Sequence, residues 1–298
     1  MKRKFNEAIK EDKEEKDSLF NEIKFKSQAA MEYLMTYGWA ILIIALSLAV
    51  LYSLGIMNPK NFVPRAPPGS CFVFRPNGPG TTDFVSLQGT CGYLPMYVAS
   101  FNGNNSYVSV PSVPVLHPTQ AITVAAWVKK TINNQGAVVR TYSDYFLDFN
   151  NGPALLRWSI NAHWDYVTSY PNDGRWHFIV GTYDRVKLGY FIDGKLVQTI
   201  NLTEAINNNN QPIRIGTRGD LYTNYFNGSL ANIQIYNTAL TPQEIQYLYQ
   251  QGLGGGPVRL QNLVGWWPLN GDAKDYSGNN NHGTINGGVT FVQNYNPP

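Results

Sequence analysis

The chain has 298 residues, with 23 Lys and Arg against 20 Asp and Glu, and two cysteines. A net charge of +3 over that length excludes the dense basic surface of a nucleic-acid binder. Charged residues make up 14% of the chain while glycine alone numbers 27, so the surface is one of Asn, Thr, Ser and Gly, as in many extracellular β domains.

In chain order, residues 1–27 are a charged run in which Phe5, Ile9, Phe20 and Ile23 recur at helix-like spacing. The run reads as a cytoplasmic leader, either an amphipathic helix or a solvated tail. From Tyr33 to Met57 there is no charge. At ~1.5 Å per residue this stretch makes a helix of about 37 Å, enough to cross a hydrocarbon core of ~30 Å with some tilt. It is too long for the apolar core of a secretory signal, and no small-x-small cleavage site follows it. Lys24 and Lys26 hold the preceding side in the cytoplasm, and the remainder is exported. Glu32 stands at the mouth of the helix, where an unpaired carboxylate is costly. A cut between Ser27 and Gln28 would create an α-amino group one helical turn from it.

"SQAAMEYL", Ser27 to Leu34, resembles the class III signal peptide of archaeal type IV pilins. The resemblance implies that a prepilin peptidase cuts after Ser27, that Gln28 begins the mature chain, and that Glu32 pairs with an amino terminus, that of a neighbouring copy by analogy with the family. It also implies a membrane location before assembly and copies of the same chain as filament partners. The long acidic leader departs from the family pattern.

Residues 58–96 begin with a linker, "NPKNFVPRAPPG", kept extended by its prolines. Cys71 and Cys91 follow. In an exported region such a pair is most simply one disulfide, and in the cytosol it would be two free thiols. Between them, Phe72–Phe74 and Phe84–Leu87 read as the strands of a hairpin that must lean on a larger body. From Tyr97 onward, short alternating segments are separated by Asn102-Gly103, Asn151-Gly152, Asp173-Gly174, Asp193-Gly194 and Asn227-Gly228. This is a mainly β pattern, a sandwich. One helix interrupts it, with Thr241 as N-cap, Pro242 in the first turn, Glu244 closing a capping box and Gly252 ending it.

The segments "VASFNGNNSYVSVP", "ITVAAWVK", "GRWHFIVGTYD", "GYFIDGKLV", "IRIGTR" and "FNGSLANIQIYNTALTPQEIQYLY" resemble successive strands of a LamG domain. The implied fold for 97–298 is a concanavalin-like jelly roll of two antiparallel sheets. Residues 263–292 resemble the strand and loop that normally open such a domain, yet here they come last. That order implies a circular permutation spliced through the Gly-rich stretch 252–256; the other reading is a second, truncated copy.

The chemistry of a hydrolase is missing. Concanavalin-like glycan hydrolases carry E-x-D-x-x-E, whereas beyond residue 96 the only glutamates are Glu204 and Glu244, and the four histidines are scattered. The chain is therefore expected not to be an enzyme. A structural calcium is expected in "DAKDYSGNNNHG", with Asp275 first, then Asp272, Asn279 and Asn281 as oxygen ligands; otherwise the loop is an Asx-rich turn. Trp164, Tyr166 and Tyr222 are the expected sugar-stacking aromatics, while Trp127, Trp158, Trp176, Trp266 and Trp267 are expected in the core. Arg218-Gly219-Asp220 reads as a turn. Asn104, Asn201 and Asn227 open glycosylation sequons. Together these features lead to the expectation of a pilin-like surface subunit whose head binds extracellular glycan or a surface protein. The alternatives are a non-polymerising anchored lectin and, third, an anchored glycan hydrolase.

Overall fold

The computed structural model describes residues 31–53 (Leu34 excepted), 64–131, 135–149, 154–163, 166–218, 224–293 and 295–298. The chain divides into two compact units, up to Val63 and from Pro64 onward.

In the first unit Met31–Ser53 is a helix, α1, of 23 residues, about 34 Å at ~1.5 Å per residue. Its apolar side chains are exposed, Trp39 by 66% and Ile43 by 59%. Its hydroxyls turn inward: Thr36 donates to the Glu32 carbonyl at 2.9 Å, Ser47 to Ile43 at 2.8 Å and Ser53 to Val50 at 2.8 Å. These three hydroxyls are thus satisfied within the helix itself. Glu32 lies exposed in its first turn. Ser27 and Gln28 lie outside the described residues.

The second unit runs β1 (Arg65–Ala66), β2 (Cys71–Phe74), β3 (Ser86–Gly89), β4 (Leu94–Pro95), β5 (Val98–Asn102), β6 (Tyr107–Val110), β7 (Ile122–Lys130), β8 (Ala137–Arg140) and β9 (Tyr145–Asp148). It continues with β10 (Leu155–Ile160), β11 (Val167–Ser169), β12 (Trp176–Tyr183), β13 (Lys187–Ile192), β14 (Lys195–Asn201), β15 (Ile213–Ile215) and β16 (Asn227–Tyr236). Helix α2 (Pro242–Gln251) precedes β17 (Leu263–Trp267), β18 (Thr284–Asn286) and β19 (Thr290–Val292).

Two sheets form the sandwich. One has the order β11-β10-β9-β8-β15-β6-β18; the other is β14-β13-β12-β7-β16-β5-β19, with β17 also paired to β16. The C-terminal strands therefore complete both sheets rather than starting a separate body. Between the layers lie Val124, Val128, Leu147, Trp158, Ile179, Ile235 and Trp267, all fully buried. A second core covers the outer face of the eight-stranded sheet, where Trp127, Phe178, Val180 and Trp266 meet Ile245 and Leu248 of α2. Burial on both faces explains why β7 and β12 are apolar or small at almost every position instead of alternating strictly. The five tryptophans beyond residue 100 other than Trp164 are buried, at 0–6% exposure.

Helix α2 is capped as expected: Thr241 accepts from the Glu244 N–H, and Glu244 accepts from the Thr241 N–H at 2.8 Å. The hairpin β2–β3 is closed by the Cys71–Cys91 disulfide. Arg75 ties it to the sandwich, donating to the Ser277, Leu260 and Leu263 carbonyls at 2.9 Å each.

Two local expectations are corrected. Phe84 is not in a strand: its φ of +56 places it in a turn, 86% exposed, and the strand begins two residues later at Ser86. Asn227-Gly228 is not a turn but opens β16, where Gly228 passes so close to β7 that a Cβ would stand 2.2 Å from the Lys129 carbonyl. The glycine there serves close strand approach, not reversal.

Candidate functional site: an aromatic-walled cleft at the sandwich edge

An open cleft of about 720 Å³ is lined by Ser169, Tyr170, Pro171, Ile192, Asp193, Lys195, Val197 and Tyr249. Three elements build it. The end of β11 contributes Ser169, followed by Tyr170, whose ring packs on Phe149 at 4.7 Å. The β13–β14 turn contributes Asp193 and Lys195; Asp193 and Gly194 both have positive φ, 52° and 76°, the two-residue turn that suits a twisted hairpin. Helix α2 contributes Tyr249, 36% exposed, with its ring stacked 5.7 Å from Trp127. A Cβ on Gly194 would come within 3.1 Å of Tyr249, so the glycine also lets the turn sit against this wall.

Behind the cleft His177 lies between two carboxylates, Nδ1 2.8 Å from Asp193 Oδ2 and Nε2 3.0 Å from Asp173 Oδ1. Burial disfavours a charged ring, but hydrogen bonds and charge from Asp193 and Asp173 outweigh it and raise the His177 pKa. The Arg175 N–H first, and His177 next in the same direction, hold Asp173 below its ordinary value. Tyr170, buried beside both carboxylates, is pushed well up and stays a neutral phenol. The cleft therefore presents flat aromatic faces, a fixed carboxylate, an ammonium and a hydroxyl. Such a set stacks on a sugar ring and bonds its hydroxyls.

Of the expected stacking aromatics, Trp164 and Tyr222 lie outside the described residues. Tyr166 is half-buried and stacked on His163 at 4.9 Å; it does not line the cleft. Tyr170 and Tyr249 were not singled out by sequence reasoning, because each reads as an ordinary apolar position in its segment. Asp193-Gly194 was legible as a turn but not as a ligand-facing one.

In the expected calcium loop the named side chains carry hydrogen bonds within the protein. Asp275 is 5% exposed; its Oδ1 accepts from the Trp266 and Ser277 N–H at 2.9 and 2.8 Å, and its Oδ2 from Asn281 N–H at 2.9 Å. Asp272 accepts from the Lys274 N–H and the Tyr276 hydroxyl. The Asn279 Oδ1 accepts from the Gly80 N–H, and the Asn281 amide donates to the Val264 carbonyl. The Asp275, Asp272 and Asn279 oxygens each accept hydrogen bonds, so the loop is a hydrogen-bonded knot. Among the described residues no group of three or more His, Cys, Asp and Glu side chains could hold a metal.

The two late glutamates are also committed. Glu204 accepts from Asn161 at 2.8 Å and pairs with His163 at 2.7 Å, and Asn161 first and His163 next lower its pKa against the opposing effect of burial. Glu244 caps α2 and pairs with Arg259. Ser112, His117 and Asp144 form a hydrogen-bonded chain with 3.0 Å links. The His117 and Asp144 side chains are fully buried, and Ser112 also donates to Asn210 at 2.8 Å; this chain braces the rim loops. Of the sequons, Asn104 and Asn201 are exposed, and Asn227 is half-buried beside Thr131.

Residues 102–246 match a family model, Laminin_G_3, described as the concanavalin A-like lectin/glucanases superfamily. Among solved structures the chain is similar to a candidate carbohydrate binding protein from Bacteroides ovatus, with a TM-score of 0.57 and 18% identity over 72% of this chain and 64% of that one. It is also similar, at a TM-score of 0.46 and 14% identity, to a heptameric SAP-like pentraxin from Limulus polyphemus, over 66% of this chain and 94% of that one. For mouse laminin α1 domains LG4–5 the TM-score is 0.40 and the identity 16%, over 51% and 45%. No curated protein matches. Residues 102–246 thus match the concanavalin A-like lectin/glucanases model, and the two stacked antiparallel sheets are a concanavalin-like sandwich.

Proposed function

We propose that the chain is a surface recognition protein whose head binds glycan in the cleft between Tyr170, Asp193, Lys195 and Tyr249. The observation that carries this reading is the pairing of the part-exposed Tyr249 ring with the fixed polar groups Asp193 and Lys195 in an open cleft on a concanavalin-like sandwich. The resemblance of residues 263–292 to the strand and loop that open a LamG domain, and their pairing into both sheets, support the circular permutation.

The exposed apolar helix and the exported-type disulfide support an anchored head outside the cell. Glu32 and the "SQAAMEYL" segment favour a pilin-like subunit over a plain anchor, with prepilin peptidase as processing partner and copies of the chain as filament partners. Gly38, Ala40, Ala45 and Ala49 suit close helix packing.

The binding test is a glycan array probed with the full chain in detergent, alongside Tyr249→Ala and Asp193→Ala. Glycan binding that both variants lose supports the cleft. Binding that both retain moves the site elsewhere, and no binding at all to any glycan leaves a surface protein as the partner. For the helix, mass spectrometry of the mature amino terminus decides: a chain beginning at Gln28 supports the pilin-like subunit, and one retaining Met1 in the membrane overturns it.

A further inference from the structure

We infer that the head carries a second binding groove, on the outer face of the eight-stranded sheet, for a saccharide that bears a carboxylate. The groove shares no lining residue with the first cleft. Its volume is about 470 Å³, within the ~300–1,000 Å³ range of small-ligand sites. The floor is a row of cross-strand neighbours: Lys129 of β7 stands opposite Ser229 of β16, and Ser229 opposite Ser100 of β5. Two residues along the same strands, Trp127, Ala231 and Val98 share this face and belong to the core that α2 covers. Past that core the face turns polar, and Lys129, Ser229 and Ser100 are half-buried.

What makes this row a groove is the segment that rises beside it. Tyr295 and Asn296 line one side. The Tyr295 hydroxyl donates to the Pro95 carbonyl at 2.5 Å, the Arg65 guanidinium lies 4.6 Å from its ring centre, and Trp176 meets the ring edge-on at 6.4 Å. The wall is therefore fixed before any ligand arrives. Thr131 and Asn227 also line the groove, tied by the Thr131 N–H to the Asn227 carbonyl at 2.9 Å.

The charge of the site selects an anion. Among the described residues no acid lines the groove, while two lysines do. Lys130 is committed, donating to Asn172 Oδ1 at 2.6 Å and to the Thr131 carbonyl at 3.3 Å. Among the described residues no ion pair or hydrogen bond engages the Lys129 ammonium. Asp173, next to Gly174 of the lining, is turned to His177 Nε2 at 3.0 Å and the Arg175 N–H at 2.9 Å. A ligand carboxylate meets Lys129, and the hydroxyls of the same sugar meet Ser100, Ser229 and the Asn296 amide. An extended acidic peptide would instead dock on a sheet edge through main-chain bonds, whereas β7 and β16 are interior strands. The first cleft holds the Asp193 carboxylate, which repels acids, so the two sites sort neutral from acidic sugars.

The test is a binding titration of the full chain in detergent against uronate- and sialate-bearing oligosaccharides, each beside its neutral methyl ester. At least one acid should bind about tenfold or more tighter than its ester, with a preference that shrinks as salt is added. Lys129→Gln should abolish the preference and Lys129→Arg should keep it, with unchanged melting temperatures showing that both variants fold. If no carboxylated saccharide binds ahead of its ester, the proposal is overturned. It is overturned equally by a preference that survives Lys129→Gln, or by one that Lys195→Gln removes instead, which places the acid in the first cleft.

Discussion

Asp275 shows how one buried side chain can organise a loop. Three backbone N–H groups from Trp266, Ser277 and Asn281 converge on its two oxygens in a nearly closed site. Asp275→Asn keeps the shape but turns an amide N–H₂ toward one of these donors. The expected cost is on the order of 2–3 kcal/mol, a buried donor left unsatisfied, read as a lower urea midpoint. Asp272→Asn, half-exposed, should cost under about 1 kcal/mol in the same assay. His177 makes a pH prediction. Its folded pKa is raised by Asp193 and Asp173, so its contribution to stability is complete below the unfolded value of ~6.5 and is lost as pH rises through the folded value. The head's melting temperature should therefore decline across that window, and His177→Gln should flatten the decline.

At the scale of elements, the two sheets meet through one large ring. Trp158 of β10 donates to the Thr182 carbonyl at 2.9 Å and lies over Gly181 of β12, where a Cβ would be 2.2 Å from the indole. Gly181→Ala should cost about 1–3 kcal/mol by overpacking, seen in thermal unfolding without loss of the mainly β far-ultraviolet signal. The bulge at Asn232 is a second such device. With φ at +51, it shifts the register of β16 and moves successive apolar residues from one core to the other. The Asn232 amide donates to the Gly255 carbonyl and its oxygen accepts from Trp266 Nε1, so the shift is held by both neighbouring segments.

At the scale of the whole molecule, the proposed function gives anchoring to the apolar helix and recognition to the β head. Removing the Glu32 carboxylate touches only the first part. In the pilin-like reading, Glu32→Ala should leave export and glycan binding unchanged while abolishing filaments seen by electron microscopy. If filaments persist in Glu32→Ala, the carboxylate is not the assembly register. Tyr249→Ala should do the reverse, lowering affinity for a bound glycan about tenfold or more through loss of a stacking face while filaments still form.

Much of this organisation is local and could be read along the chain. The uncharged run after Glu32, the capping box at Thr241 and Glu244, the alternation of β strands and the pairing of Cys71 with Cys91 depend on residue type and short spacing. What the tertiary structure alone decided are the sites made by distant segments. Tyr170, Asp193 and Tyr249 come from three elements and become one cleft only when β11, the β13–β14 turn and α2 meet. Asp275 looked like a cation ligand because its loop is rich in oxygen; only packing against Trp266 and Ser277 shows that N–H groups take those oxygens.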